Sequence, residues 1–111
     1  MRYTPWKVEI ASATVEAQIK ALPADLQARY LRLVDLMEAN GPQALSMPHA
    51  RPLEGKLWEL RMKGRDGIAR AIYVAASGRR VVILHAFVKK SQKTPRRAIE
   101  TANRRMKEIE P

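Results

Sequence analysis

The sequence predicts an α+β fold in which a helical hairpin packs on a small, mostly antiparallel sheet, with the element order β-α-α-β-β-β-α. Three observations predict it. A helical periodicity runs through residues 12–40 and is interrupted only at Pro23. Alternating segments follow between residues 57 and 90, joined by short glycine-containing turns, and an amphipathic pattern begins after Thr94-Pro95. At 111 residues, we expect a single domain spanning residues 1–111.

The first strand and the helical hairpin follow from the N-terminal third of the chain. The segment KVEIA (residues 7–11) alternates and predicts a short strand, which can lie at the edge or in the middle of the sheet. Ser12 is a typical N-cap residue. The apolar positions that follow recur at helical spacing: Val15, Ile19, Leu22, Leu26, Tyr30, Leu33 and Met37. Asn40-Gly41-Pro42 ends the hairpin, and the Pro- and Gly-rich residues 41–56 predict a loop.

Three strands and a last helix complete the predicted fold. In the first two of these strands, alternation places Arg61 with Leu57 and Glu59, and Arg70 with Ile68, Ile72 and Val74. In the third, one face is predicted to hold Val81, Ile83, His85, Phe87 and Lys89, and the other Val82, Leu84, Ala86 and Val88. Thr94-Pro95 predicts a cap for a helix whose apolar stripe is Ile99, Ala102, Met106 and Ile109.

Composition excludes several kinds of protein and site. The chain has no cysteine, so a disulfide framework, a thiolate metal site and a cysteine nucleophile are excluded. No stretch approaches the roughly 20 apolar residues that span a bilayer, and residues 1–10 lack the apolar core of a signal peptide. We therefore expect a cytoplasmic protein that does not bind membranes.

Positive charge is the strongest global signal, and it is unevenly distributed. The net charge is +10, from 21 basic and 11 acidic residues. Residues 1–50 hold five of each, so residues 51–111 carry the whole excess. A charge that served only solubility would have no reason to segregate, and the distribution therefore favours one face that binds a polyanion.

Specific residues of the second half resemble a known family. They are LWELR (residues 57–61), Arg70 within IARAIYV, LHAFVKKSQKTP (residues 84–95) and AIETANRR (residues 98–105). With the predicted element order, they resemble the RelE/ParE superfamily of bacterial toxins, and most closely its HigB-type branch, which includes phage-derived members. The resemblance covers nearly the whole chain.

The resemblance implies a RelE-like fold and a definite function. It implies the toxin of a type II toxin-antitoxin system, an endoribonuclease (mRNA interferase) that cleaves mRNA on the translating ribosome and so inhibits translation. The implied partner is a co-encoded, HigA-like helix-turn-helix antitoxin. The pair would regulate its own operon, so that operator DNA is contacted only through the complex.

The catalytic candidates follow from what metal-independent RNA cleavage requires. A 2′-hydroxyl attacks the adjacent phosphate, which needs a proton acceptor, a proton donor and fixed cations for the developing charge. Arg61 and Arg70 are the candidates for phosphate contact, because an arginine within a strand is disfavoured unless it lines a cleft. Alternatively, both lie along the sheet or pair with Glu59 or Glu54. We favour phosphate contact, because few carboxylates are nearby.

The proton-transfer group and the RNA contacts are less sharply defined. His85 is one candidate base, since histidine titrates near neutral pH, and Lys89, Lys90 or Lys93 could substitute if clustered cations depress a lysine pKa. Phe87 could stack on a base or pack in the core. Further RNA-backbone candidates, with a solvated surface as the alternative, are Lys56, Lys63, Arg65, Lys93, Arg96 and Arg97.

Other enzyme classes lack their motifs, and two further functions stay open. The sequence has no acidic cluster for a two-metal nuclease, no Gly-rich phosphate loop and no His-rich ligand set, so we expect neither metal nor cofactor. The alternatives are a ParE-like, non-enzymatic inhibitor of DNA gyrase and a non-catalytic, phage-derived nucleic-acid-binding module.

Overall fold

The computed structural model describes residues 5–65, 67–89 and 93–109. The elements in chain order are β1 (Lys7–Ile10), α1 (Ala13–Lys20), α2 (Ala24–Asn40), a 3-10 turn (Pro42–Ala44), β2 (Ala50–Pro52), β3 (Trp58–Gly64), β4 (Gly67–Ala76), β5 (Arg80–Lys89) and α3 (Arg96–Ile109). Within these described ranges, no helix is both long and apolar enough to cross a bilayer.

The five strands form one sheet in the order β1-β5-β4-β3-β2. The pairs β2–β3, β3–β4 and β4–β5 are antiparallel, which confirms the predicted meander. Strand β1 lies at the edge and runs parallel to β5, with Val8 opposite Val81. This settles the position of β1, which the sequence left open, and the α+β class is as predicted.

One face of the sheet, which we call the hairpin face, is covered by α1 and α2. Ser12 caps α1, because its Oγ accepts a hydrogen bond from the backbone N–H of Val15 at 3.4 Å. The predicted apolar stripe is buried against Leu60, Met62, Ala69, Ala71, Tyr73, Val81, Ile83 and Ala86 of the sheet. The helical periodicity therefore identified the buried surface of both helices correctly.

The opposite face, which we call the α3 face, is covered by the C-terminal helix. Its apolar cluster joins Ala98 and Ala102 of α3 to Ile72, Val74, Val82 and Leu84 of the sheet and to Leu57, which precedes β3. Small alanine side chains let α3 approach the strands closely. Arg105 of α3 also donates a hydrogen bond to the carbonyl of Leu84 at 2.8 Å.

The prediction of a structureless loop over residues 41–56 is wrong in part. The segment contains the 3-10 turn and β2, a three-residue strand that extends the sheet beyond β3. Its backbone pairs Arg51 with Glu59 and Pro52 with Trp58. Pro48 precedes this strand and Pro52 is its last residue, and both hide its pattern, because proline is typical of edges and turns. β2 matters because it brings Arg51 to the sheet.

The predicted strict alternation of β5 is also wrong, because the strand contains a bulge. Ile72 lies opposite His85, but the next residue, Tyr73, lies opposite Ile83, so Leu84 is the extra residue. Beyond the bulge the faces exchange: Ala86 packs in the hairpin-face core and Phe87 packs with the α3-face core. The bulge therefore places Phe87 and Lys89 on the same face as Arg70.

Candidate functional site

The site is built around one carboxylate, Glu59 of β3, which is 1% exposed. Its Oε1 accepts hydrogen bonds from Arg51 Nε at 3.0 Å and from Arg70 Nη1, and its Oε2 accepts one from the Thr94 hydroxyl. A buried carboxylate is strongly disfavoured unless it is paired and hydrogen-bonded, and both oxygens of Glu59 are satisfied in this way. Three separate segments are therefore joined at this side chain.

Arg70 of β4 is the buried cation of the site, with 3% of its surface exposed. Besides its ion pair with Glu59, it donates from Nη1 to Thr94 Oγ1 at 3.1 Å. Burial lowers the pKa of Arg70 and the charges of Arg51 and Arg61 lower it further, whereas Glu59 raises it. A guanidinium stays protonated in proteins, so the buried pair remains ionic. Of the two alternatives for Arg70, the structure shows the pairing with Glu59.

Three more cations surround this buried pair and reach solvent. Arg51 exposes 39% of its side chain while binding Glu59, and Arg61 and Lys89 are half-buried. Burial lowers the pKa of Lys89 from its ordinary value, and Arg70, Arg61 and Arg51 lower it further, against the opposing effect of Glu59. We call Arg51, Glu59, Arg61, Arg70, Lys89 and Thr94 the Glu59 cluster.

The Glu59 cluster carries more positive charge than it neutralises. It contains four cations, from strands β2 to β5, and one carboxylate, which leaves an excess of three positive charges on one face of the sheet. The Nε of Arg61 is buried and finds no acceptor among the described residues. An unsatisfied buried donor costs about 1–3 kcal/mol, so this position favours an acceptor that enters the interior of the cluster.

A small cavity of about 30 Å³ opens within the cluster, between Arg51, Glu59, Arg61 and Arg70. Its volume exceeds the roughly 10–15 Å³ that a water molecule requires. It is too small for a nucleotide, because ligand pockets have volumes of about 300–1,000 Å³. A phosphate would therefore approach the outer side of the cluster, where Arg51, Arg61 and Lys89 reach solvent.

His85 and Phe87 lie beside the cluster on β5. Their rings are 5.2 Å apart at the centroids and tilted by 32°. Burial and the charge of Arg105 lower the pKa of His85 from 6.5 to about 4. His85 Nδ1 lies 3.2 Å from Arg105 Nη1, and because arginine only donates, Nδ1 is the acceptor and the neutral ring carries its proton on Nε2. Accepting a further proton would disrupt this contact.

Phe87 is half-buried and lies directly opposite Arg70 across the β4–β5 pair. It packs at the margin of the α3-face core. The position combines the two alternatives considered from the sequence, because one part of the ring packs against the core while another part is accessible next to the cations.

The remaining sequence candidates are more widely distributed. Lys63 and Arg65 are exposed near the end of β3, and the Arg65 N–H donates to Asp25 Oδ2 at 2.8 Å. Lys93 is exposed next to Thr94, and Lys56 and Arg97 are exposed elsewhere. Arg96 is engaged by Glu54, with Nη–Oε distances of 2.6 and 3.1 Å. Lys90 lies outside the described residues.

Sequence reasoning missed two members of the cluster and undervalued a third. Arg51 was hidden in the segment predicted as a loop, and Thr94 was predicted as a helix cap. The Thr94 hydroxyl instead donates to Glu59, and α3 begins at Arg96. Glu59 was detectable, because it is two residues from Arg61 on the same strand face and its pairing with an arginine was one of the alternatives.

No group of three or more histidine, aspartate or glutamate side chains within residues 5–65, 67–89 and 93–109 is arranged to hold a metal ion. The chemical groups that the cluster offers to a ligand are guanidinium and ammonium donors. This donor set suits a phosphodiester, whose non-bridging oxygens are acceptors.

Comparisons with known proteins agree with this fold. A comparison with curated proteins gives no significant match. RelE in the archaeal RelE-RelB complex of Pyrococcus horikoshii OT3 is 24% identical, with a TM-score of 0.57 over 77% of this chain and 96% of that chain. A mutant of the E. coli toxin RelE, solved in the free state with two arginines replaced by alanine, is 11% identical, with a TM-score of 0.63 over 96% of this chain and 99% of that chain.

A family model provides the sequence-level assignment. The model of the phage-derived Gp49-like proteins (DUF891) matches residues 17–107, which include the second half of α1, all of α2, the meander and most of α3. The fold is that of RelE, and the chain belongs to the phage-derived Gp49-like family.

Proposed function

We propose that this protein is the toxin of a toxin-antitoxin system and that it cleaves mRNA on the ribosome. The observation that carries the proposal is the Glu59 cluster, in which cations from four adjacent strands surround one buried carboxylate and retain an excess of three positive charges. Such preorganised cations stabilise the additional charge on a phosphate under nucleophilic attack. Family membership and the RelE-like fold support the same function.

The cluster suggests a division of roles among its residues. Arg61 and Arg51 hold the scissile phosphate, because both side chains reach solvent on the outer side of the cluster. Arg70 is a positioning residue, since it is buried and bound to Glu59 and Thr94. Glu59 fixes both Arg51 and Arg70 in orientation, so that no reorganisation is needed when substrate binds.

Lys89 is the better placed of the candidate proton-transfer groups. Burial and the neighbouring cations lower its pKa and so increase the fraction of neutral amine at a given pH. The amine takes the proton of the 2′-hydroxyl, the 2′ oxygen forms a bond to phosphorus, and the bond from phosphorus to the 5′ oxygen breaks. The products are a 2′,3′-cyclic phosphate and a 5′-hydroxyl, the latter protonated by a second group.

His85 and Lys90 keep narrower roles in the proposal. Because Nδ1 of His85 contacts Arg105, a general-base function would require this contact to break, and we assign the ring to the support of Phe87. Lys90 and Lys93 follow Lys89 in the chain and are candidates for the second proton donor or for backbone contact. Phe87 offers a surface on which a neighbouring base can stack.

The proposed partners follow from family and charge. An archaeal RelE was solved in complex with RelB, and we propose that this toxin likewise has an antitoxin, HigA-like with a helix-turn-helix domain. Operator DNA would be bound only through that complex. Lys56, Arg96 and Arg97 are proposed to contact ribosomal RNA, for which Arg96 would exchange Glu54 for phosphate. The proposed location is the cytoplasm, where ribosomes are.

The experiment that tests the proposal combines two assays on the purified protein. In the first, ribosomes carrying 5′-labelled mRNA are incubated with the protein, and the product ends are identified; a 2′,3′-cyclic phosphate and a 5′-hydroxyl are expected. In the second, DNA gyrase supercoils relaxed plasmid in the presence of the protein. Intact mRNA together with blocked supercoiling would establish the gyrase alternative, and no effect in either assay would favour a non-catalytic nucleic-acid-binding module.

A further inference from the structure

A second and much larger cavity lies on the other side of the β3 edge, between α2 and β3. We call it the α2 groove; it has a volume of about 1260 Å³ and its lining includes Arg29, Arg32, Arg61, Lys63 and Arg65. This volume exceeds the roughly 300–1,000 Å³ of a typical small-molecule pocket. The groove is therefore large enough for several units of a polymer.

The charge of the α2 groove is strongly one-sided. Five of its lining residues are arginine or lysine, and Asp25 is its single acidic lining residue among the described residues. The Asp25 carboxylate already accepts a hydrogen bond from the backbone N–H of Arg65 at 2.8 Å, which satisfies part of its capacity. The groove therefore favours an anionic occupant.

Two of these cations come from the half of the sequence that is neutral overall. Arg29 and Arg32 are three residues apart on α2, so their side chains share one face of the helix, and both are exposed. Neither forms an ion pair within the described part of the chain, although Asp35 and Glu38 follow on the same helix. The fold thus adds positive charge to the groove that the linear distribution did not indicate.

The α2 groove and the Glu59 cluster are adjoining parts of one surface. Arg61 and Pro48 line both the groove and the small cavity of the cluster. A strand whose phosphate is bound by Arg61 must continue across a neighbouring surface, and the groove is a cationic surface in direct contact with that residue. This continuity favours an RNA strand over an acidic protein segment.

We propose that the α2 groove binds the single-stranded RNA that flanks the scissile phosphate, with Arg29 and Arg32 contacting its phosphates. The inference rests on the proposed function and extends it to residues outside the Glu59 cluster. The exposed side chain of Leu36 and the ring of Pro48 provide apolar contacts for unstacked bases. Lys63 and Arg65 complete the cationic lining on the β3 side.

The test measures RNA binding separately from cleavage. Fluorescence anisotropy with a labelled 12-nucleotide RNA is recorded for the wild type, for Arg29→Ala/Arg32→Ala, and for the control Arg104→Ala/Lys107→Ala, which removes two exposed charges from α3. The groove variant should bind at least roughly tenfold more weakly, and its salt dependence should fall by about 1.4 log units per log unit of salt, since each phosphate contact on a single strand contributes about 0.7. The control should stay within about twofold of the wild type. Circular dichroism verifies the fold of each variant.

Equal affinity and salt dependence for the two double variants would overturn the proposal, as would a wild type that does not bind the RNA at low salt. An unchanged RNA affinity combined with weaker antitoxin binding would assign the groove to a protein partner instead. The ribosome assay separates RNA binding by the groove from cleavage at the Glu59 cluster. The groove variant should need a higher protein concentration for half-maximal cleavage, but its maximal cleavage rate should be unchanged. If the wild type cleaves no mRNA but the groove variant alone loses RNA affinity, the proposed function fails and the groove assignment stands.

Discussion

At the scale of single residues, Glu59 decides whether the site is correctly assembled. Its carboxylate is buried at the sheet and binds Arg51 of β2, Arg70 of β4 and Thr94, which precedes α3. A buried ion pair contributes little net stability relative to an apolar pair, but the loss of one partner leaves the other charge buried and uncompensated. Glu59 is therefore needed to compensate the buried positive charge of Arg70.

Replacement of Glu59 by glutamine should destabilise the protein strongly. The change keeps the size of the side chain but removes the charge that compensates Arg70, for which the expected loss is about 3–5 kcal/mol in the free energy of unfolding. Urea denaturation measures it as a lower midpoint. The matched control is Glu54→Gln, whose carboxylate binds Arg96 at the exposed surface. Equal midpoints for the two variants would show that Glu59 is not the electrostatic centre described here.

His85 gives a second prediction at this scale, through pH. Its pKa is about 4 in the folded protein and 6.5 in the unfolded chain, so between these values the unfolded state binds a proton that the folded state does not. Stability should therefore fall as the pH decreases from 6.5 to 4. The contribution is at most about 3.5 kcal/mol, since each pKa unit corresponds to about 1.4 kcal/mol.

The variant His85→Gln should lose this part of the pH dependence, whereas His49→Gln should retain it, because His49 is an exposed residue of the α2 groove with no part in the contact between His85 and Arg105. Unfolding midpoints of the three proteins, measured at several pH values from 7 down to 4, give the comparison. A wild-type slope in His85→Gln would mean that the ring is not held in its neutral form by Arg105 and burial.

At the scale of secondary-structure elements, the bulge in β5 determines which side chains meet. Without it, alternation would place Lys89 on the hairpin face, away from Arg61 and Arg70. The extra residue at Leu84 reverses the faces and brings Lys89 to the α3 face. The sequence predicted that these cations act together but assigned Lys89 to the wrong face, because a bulge has no reliable signal in an apolar, β-branched strand.

A residue exchange tests this placement without a change in composition. Val88 is 43% exposed and lies on the opposite face of β5, so Val88→Lys/Lys89→Val moves the ammonium group across the sheet while the net charge stays +10. We expect mRNA cleavage to fall about as far as in Lys89→Ala, and binding of non-specific RNA to change little. Full cleavage activity in the exchanged protein would show that cleavage needs a positive charge near the end of β5 but does not depend on the face of the sheet that carries it.

The helices and β2 illustrate two limits of prediction. The helical hairpin was predictable because its apolar spacing continues over residues 12–40 and both ends carry typical signals. The three-residue strand β2 was not, since its pairing depends on the backbone of β3 rather than on any periodicity of its own. The role of Thr94 was missed for a related reason: its hydroxyl binds Glu59, which is 35 residues away.

At the scale of the whole molecule, the charge distribution predicted a polyanion-binding face but not its full extent. The excess lies in residues 51–111, which contribute every cation of the Glu59 cluster. The tertiary structure adds Arg29 and Arg32 of α2, on the other side of the β3 edge. A linear count cannot show this, because it does not indicate which exposed charges share a surface. An antitoxin that covers either region should be acidic there, and its affinity should fall with added salt.

The accessible cations of the Glu59 cluster are proposed to bind the scissile phosphate, and the sharpest test of this role is single-turnover cleavage of ribosome-bound mRNA by Arg61→Ala. We expect a cleavage rate about 10²–10³-fold lower than that of the wild type, as for the loss of one group that stabilises the developing charge, and an unfolding midpoint close to that of the wild type. Arg104→Ala, which removes an exposed charge of α3, should retain a rate within about twofold of the wild type. Equal rates for Arg61→Ala and Arg104→Ala, in two folded proteins, would rule out a role for Arg61 in binding the scissile phosphate.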